Sequence, residues 1–306
     1  MGPGPTSTRR GFLAATGAGV LSAWAPPLPA ARPRSSELER IDLVVDGDRR
    51  IARRALVLAP KHLPKGTKLP LLVLLHGLGE TGNELLGIHA WPDRYGLVEA
   101  YERLRHPPLT RTLSKQRYLT DAHLTELSRS LARRPFSGVV MVCPVTPNPH
   151  SLPPASRTLD RYADWIGDVL LPAVKKRAPV LGGARHTGLD GCSLGGYVGL
   201  EVFLRRPELF GTLGGVQAAI SGSAARRYAR RIAEAIRRVG ARPIHVETST
   251  GDPYRRANER LSTELGRLGV PSAFGELPGP HNQPFLREVG TLEMLLWHDR
   301  QLRPHG

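Results

Sequence analysis

The sequence predicts an α/β fold: a mostly parallel central sheet with helices on both faces and an N-terminal antiparallel hairpin at one edge. Three observations carry this. Leu69–Leu75 and Val139–Cys143 are continuous apolar runs of strand length, as expected of strands buried on both faces. Such runs alternate with stretches whose apolar residues recur at helical spacing, the pattern of a parallel sheet with crossover helices. The third is the stretch His186–Tyr197, in which Gly191-Cys192-Ser193-Leu194-Gly195 has the G-x-S-x-G form of a sharp strand-to-helix turn.

Taken in order, Ile41–Val45 and Arg54–Ala59 flank Asp46-Gly47-Asp48, a turn signal, and read as the hairpin. Leu69–Leu75 stops at a glycine-rich loop, His76 to Gly82, and Val139–Cys143 stops at Pro144. Thr158–Lys176 carries Leu159, Tyr162, Trp165, Ile166, Val169 and Leu170 at helical spacing. Thr187–Gly191 is the strand before the serine turn and Tyr197–Leu204 the helix after it. Gly214–Ile220, Ile244–Ser249 and Ser272–Leu277 read as further strands; Arg227–Val239, Arg256–Leu268 and Pro284–Arg300 read as helices. Residues 84–137 are long for one crossover, so they are expected to hold a helix plus an insertion. That insertion is either a lid over a site or a surface elaboration.

A serine hydroxyl is a weak nucleophile and needs a base within hydrogen-bond reach, itself oriented by a carboxylate. In a sheet of this kind the three groups sit on loops beyond the carboxyl ends of strands, in chain order serine, acid, histidine. After Ser193, Asp252 follows the strand Ile244–Ser249 and His281 follows the strand ending at Leu277. His245 falls inside a strand and His298 inside the closing helix, so both are read as structural. Glu247 is the rival acid but lies within its strand; Asp190 and Asp299 are poorly placed. Acyl transfer also needs donors for an oxyanion, and the expected pair is the backbone N–H groups of Leu78 and Leu194. Asn148, His150, Trp91 and Arg157 are candidates to line the mouth of the site, within walls expected from 84–137, 145–157 and 221–226. Each is equally readable as loop surface. No metal-ligand set is visible, and the chemistry requires neither metal nor cofactor.

The net charge is +16, and six lysines among 43 basic residues leave arginine dominant and scattered along the chain. The plain reading is solvated arginine faces; the sharper one is attraction to anionic polymers or envelope surfaces. No zinc-finger spacing or aromatic stacking motif points to nucleic acid. Ser7-Thr8-Arg9-Arg10-Gly11-Phe12-Leu13 precedes a small-residue apolar run, as in a twin-arginine export signal; the alternative is a plain basic tail. The run is too short and too rich in Gly and Ala for a comfortable membrane span. Residues 1–31 are therefore set aside as a signal and 38–303 taken as the folded domain, periplasmic or extracellular, with no stable span after cleavage. Cys143 and Cys192 are the only cysteines. An intervening strand would hold them roughly 9–10 Å apart, beyond disulfide reach, so two free thiols are expected.

His76-Gly77-x-Gly79, the Gly-x-Ser-x-Gly-Gly-Tyr turn, Arg206-Pro207-Glu208-Leu209-Phe210-Gly211 and Gly279-Pro280-His281 resemble the esterase D-like branch of the α/β-hydrolases. That branch includes enterochelin-esterase-like, feruloyl-esterase-like and antigen-85-like proteins. The likeness covers roughly Leu69 to Leu302. It implies the α/β-hydrolase fold and a serine esterase acting without cofactor on a small-molecule or saccharide ester. Relatives often carry aspartate after the histidine, where this chain has Asn282. An acyltransferase using the same three residues, or a non-catalytic envelope or polysaccharide-binding protein on the same fold, are the competing classes.

Overall fold

The computed structural model describes residues 36–112 and 118–303. The expected export signal therefore lies outside the described residues. Eight strands form one sheet: β1 Leu38–Val44, β2 Arg54–Pro60, β3 Leu71–Leu75, β4 Val140–Pro144, β5 Thr187–Gly191, β6 Thr212–Val216, β7 Ile244–Gly251 and β8 Ser272–Pro280. Their spatial order is β1-β2-β4-β3-β5-β6-β7-β8. β2 runs antiparallel to both β1 and β4, and every other pairing is parallel. The hairpin is thus at one edge, as expected. β3, β4 and β5 are buried along their whole length, which explains the unbroken apolar run of β3 and β4, while β5 buries Asp190 among its small residues.

The helices are α1 Glu84–Ile88, α2 Leu97–Arg105, α3 Asp121–Arg133, α4 Ala155–Trp165, α5 Leu171–Arg177, α6 Leu194–Arg205, α7 Gly222–Val239, α8 Arg255–Arg267, α9 Gln283–Phe285 and α10 Thr291–Leu302. The periodic stretch 158–176 is α4 and α5 joined by a wide turn, Ile166–Leu170. The turn falls just before Pro172, whose ring has no N–H and crowds the preceding turn. Another wide turn, Leu286–Gly290, joins α9 to α10.

Several boundaries differ from expectation, α7 for example beginning at Gly222 rather than Arg227, and two of them have clear local reasons. α6 begins at Leu194 rather than Tyr197, because Gly195 and Gly196, poor helix formers, conceal its first turn in the sequence. β6 ends at Val216 rather than Ile220, because Gln217 turns the chain with φ 51°. Among the described residues no helix is long and apolar enough to cross a membrane. β3 lies between β4, which holds Cys143, and β5, which leads into Cys192, and both cysteines are free and buried.

Candidate active site

The turn after β5 holds Ser193 at φ 54° and ψ −117°, a backbone region that L-residues avoid, at a typical cost of about 1–3 kcal/mol. Several backbone bonds hold it there. Ser193 N donates to Val216 O at 3.0 Å, and its carbonyl accepts from Ala219 N at 2.9 Å and Tyr197 N at 3.2 Å. Glycine on either side is a matter of close approach. A Cβ on Gly195 would lie 2.1 Å from Leu75 O, and one on Gly191 would lie 2.4 Å from the Gly195 carbonyl. The sharp turn therefore nests against the end of β3.

Asp252 and His281 each follow the last residue of their strand, or nearly so: β7 ends at Gly251 and β8 at Pro280. The structure brings all three side chains together. Ser193 Oγ donates to His281 Nε2 at 3.0 Å, and His281 Nδ1 donates to Asp252 Oδ1 at 2.9 Å. That tautomer follows from the rest of the network. The buried Asp252 carboxylate also accepts from Thr248 Oγ1 at 2.7 Å and Tyr254 N at 3.0 Å, so it is an acceptor on every side. Nδ1 must then carry the proton, leaving the Nε2 lone pair toward the serine. Asn282 has a different duty: its Oδ1 accepts from Phe285 N at 2.9 Å and caps α9.

Ser193 and His281 open into a cavity of about 200 Å³ walled by the 77–80 loop, Tyr95, Gln217, Gln283 and Leu286. Leu78 lies on this wall, and Leu194 is the first residue of α6. Among the described residues neither amide has an acceptor, leaving both N–H groups available near the serine. Gln217 is, with Ser193, one of two non-glycine residues at positive φ among the described residues. Its Nε2 donates to Ser249 Oγ at 2.6 Å and to Pro280 O at 3.2 Å, tying the ends of β6, β7 and β8 beside His281. No sequence signal marks it, because a glutamine in a short apolar run looks like an ordinary strand end.

The expected mouth residues are a correction. Trp91 is fully buried in the core. Arg157 lines a different cavity with Arg50 and Arg161. His150 stacks on Tyr197 at 5.5 Å, and neither His150 nor Asn148 lines the serine cavity. Among the described residues the walls come from 77–80 and 281–286 rather than from 145–157 or 221–226, and 84–137 contributes Tyr95 alone. The walls come from short strand-end loops, which reach the serine directly.

His76 supports the site from below. Its Nε2 accepts from Thr146 N at 2.9 Å and its Nδ1 donates to Gly77 O at 2.9 Å, bracing the loop after β3 against the loop after β4. Burial lowers its pKa to about 4, so it is neutral.

The histidines and rival acids away from Ser193, His281 and Asp252 form a second buried group. His298 Nε2 lies 2.9 Å from Asp190 Oδ2, and His298 Nδ1 lies 2.9 Å from Thr212 Oγ1. His245 reaches Asp190 at 3.4 Å and Glu247 at 3.5 Å. Burial pushes Glu247 up to about 7, against the hydrogen bond from His245. Asp299 meets Arg303 and the Ser137 amide. None of these acids bonds to His281. Among the described residues no cluster of three or more His, Cys, Asp or Glu side chains is arranged to hold a metal ion.

The sheet order, with the serine at the end of β5 and helices following each parallel strand, defines an α/β-hydrolase fold. Solved structures agree. A ferulic acid esterase is similar at 18% identity and TM-score 0.60, over 86% of this chain and 97% of that one. An S-formylglutathione hydrolase from Staphylococcus aureus is similar at 17% identity and TM-score 0.57, over 87% and 98%. The enterobactin esterase of Shigella flexneri is similar at 18% identity and TM-score 0.52, over 91% of this chain and 61% of that one. These structures are esterases of the α/β-hydrolase type, and at such identities the likeness carries the fold. No family model and no curated protein matches the sequence.

Proposed function

We propose that the protein is a serine esterase that cleaves carboxylic esters through an acyl-enzyme. The observation that supports this reading above all is the unbroken chain from Ser193 Oγ through His281 to Asp252, with bonds of 3.0 and 2.9 Å. Ser193 Oγ attacks the ester carbonyl carbon while its proton passes to His281 Nε2. Asp252 accepts from Nδ1 and stabilises the imidazolium. The amides of Leu78 and Leu194 bind the oxyanion. The alcohol leaves with the proton from Nε2. Water then gives its proton to Nε2 as its oxygen attacks the acyl carbon, and collapse returns that proton to Ser193 as the acid departs.

The cavity of about 200 Å³ equals roughly seven waters of liquid volume, room for a small acyl group with the alcohol part reaching outward. A small-molecule or saccharide ester fits that description. The twin-arginine pattern at Ser7–Leu13 supports export before action, to the periplasm or medium.

The test is labelling by a fluorophosphonate probe. Wild-type protein is expected to be labelled and Ser193→Ala to be inert. Absence of labelling, or equal labelling of the variant, overturns the reading.

A further inference from the structure

The 77–80 loop is short and weakly packed. Its turn, Leu78–Glu80, is three residues long and lacks a side-chain N-cap, and the Leu78 side chain is 56% exposed, so it is not anchored by apolar packing. His76 Nδ1 and Thr81 Oγ1 hold its Gly77 and Leu78 carbonyls at 2.9 Å each, and what fastens its amide side and its far end is a phenol. Tyr95 Oη accepts from Gly77 N at 3.2 Å and donates to Glu80 Oε2 at 2.5 Å. The ring is fixed in turn: it meets fully buried Trp91 edge-on at 5.2 Å, and its own N–H bonds Ala90 O at 3.0 Å.

Glu80, itself buried, carries the link onward. Its Oε1 accepts from Gln283 Nε2 at 3.3 Å, two residues beyond the base, and from Arg94 Nη1 at 3.5 Å. One phenol–carboxylate pair thus joins three segments: the loop bearing Leu78, the long 84–137 stretch, and the strand end bearing His281. A bare carboxylate there would oppose an oxyanion. Here both its oxygens are engaged and Arg94 balances its charge. Burial holds the Tyr95 phenol well above the ordinary tyrosine pKa, so it remains a donor.

We infer that Tyr95 and Glu80 are positioning residues that set the Leu78 amide against Ser193 and His281, so that the 90–95 segment acts as a buttress for the oxyanion site. The inference rests on the serine-esterase reading for its catalytic meaning, though not for its structural one.

The test is Tyr95→Phe, which keeps the ring and removes the hydroxyl, with Glu80→Gln as the second variant should the first fail to fold. Turnover of a p-nitrophenyl ester is expected to fall roughly 10-fold or more in kcat with KM nearly unchanged, short of the 10²–10³ typical of a lost oxyanion donor. Affinity for a trifluoromethyl ketone, which forms a serine-bound oxyanion, falls by a similar factor, while affinity for the unreactive product acid holds. Independently of turnover, hydrogen exchange across 76–82 accelerates in the variant. Unchanged exchange there, or wild-type kcat and ketone affinity in a folded variant, overturns the inference. So does a rise in KM alone, which would make Tyr95 a substrate contact. A wild-type protein inert to fluorophosphonate sinks the esterase reading, and the exchange measurement still decides the buttress.

Discussion

His281 Nε2 lies 3.0 Å from Ser193 Oγ across a sequence separation of 88 residues. The contact exists because β5 and β8 end on the same side of one parallel sheet, each handing its next residues to a loop at that end. In the proposed mechanism the proton path is only as good as the orientation of one imidazole, and Asp252 holds its Nδ1 at 2.9 Å.

Asp252→Asn tests that dependence. An asparagine can present its NH₂ group to Nδ1 and favour the other tautomer, with the proton on Nε2 where the lone pair is needed. A fall of about 10⁴ in kcat is expected with little change in KM, as for other triads. Steady-state kinetics on a chromogenic ester, with thermal unfolding to confirm folding, checks it. Retention of more than a tenth of wild-type kcat would remove Asp252 from the relay.

His76 gives a pH dependence of stability whose sign can be worked out. Its pKa is about 4 when folded and near 6.5 when free. Between those values the unfolded chain binds more protons, so stability from neutral His76 is present above about 6.5 and is lost as the pH falls through 4. The slope is at most about 1.4 kcal/mol per pH unit. Glu247, raised to about 7, slopes the other way in an overlapping window, since its folded form keeps a proton that the unfolded chain has released. The informative quantity is thus the difference between wild type and His76→Gln in chemical denaturation at pH 7 and pH 5. Wild type is expected to lose more stability than the variant on acidification; parallel losses would acquit His76.

Both thiols are expected to be inert in the folded protein. Burial pushes the Cys143 and Cys192 thiols well above the ordinary cysteine range, which removes the reactive thiolate. Iodoacetamide at pH 8 should modify neither cysteine natively and both in denaturant, read by mass spectrometry. Native modification of Cys192 would mean that the turn beside Ser193 opens.

Much of this protein was legible in one dimension, and for a physical reason. Strands buried on both faces are mostly apolar, so β3 and β4 announce themselves. A turn that nests against a neighbouring strand must be glycine on both sides, so Ser193 announces itself too. Strand ends are punctuated by Pro, Gly and Asp, which placed Asp252 and His281 and their order. Those properties belong to short stretches of chain.

What only the tertiary structure decided was the surroundings. Tyr95, Glu80, Gln217 and Gln283 carry no local signal, and the Glu80–Gln283 bond spans 203 residues. Trp91 and Arg157 looked equally available and went elsewhere, one into the core and one to another cleft. Whether a polar side chain faces a cavity depends on how loops from different strands approach one another in space, and no periodicity along the chain encodes that approach.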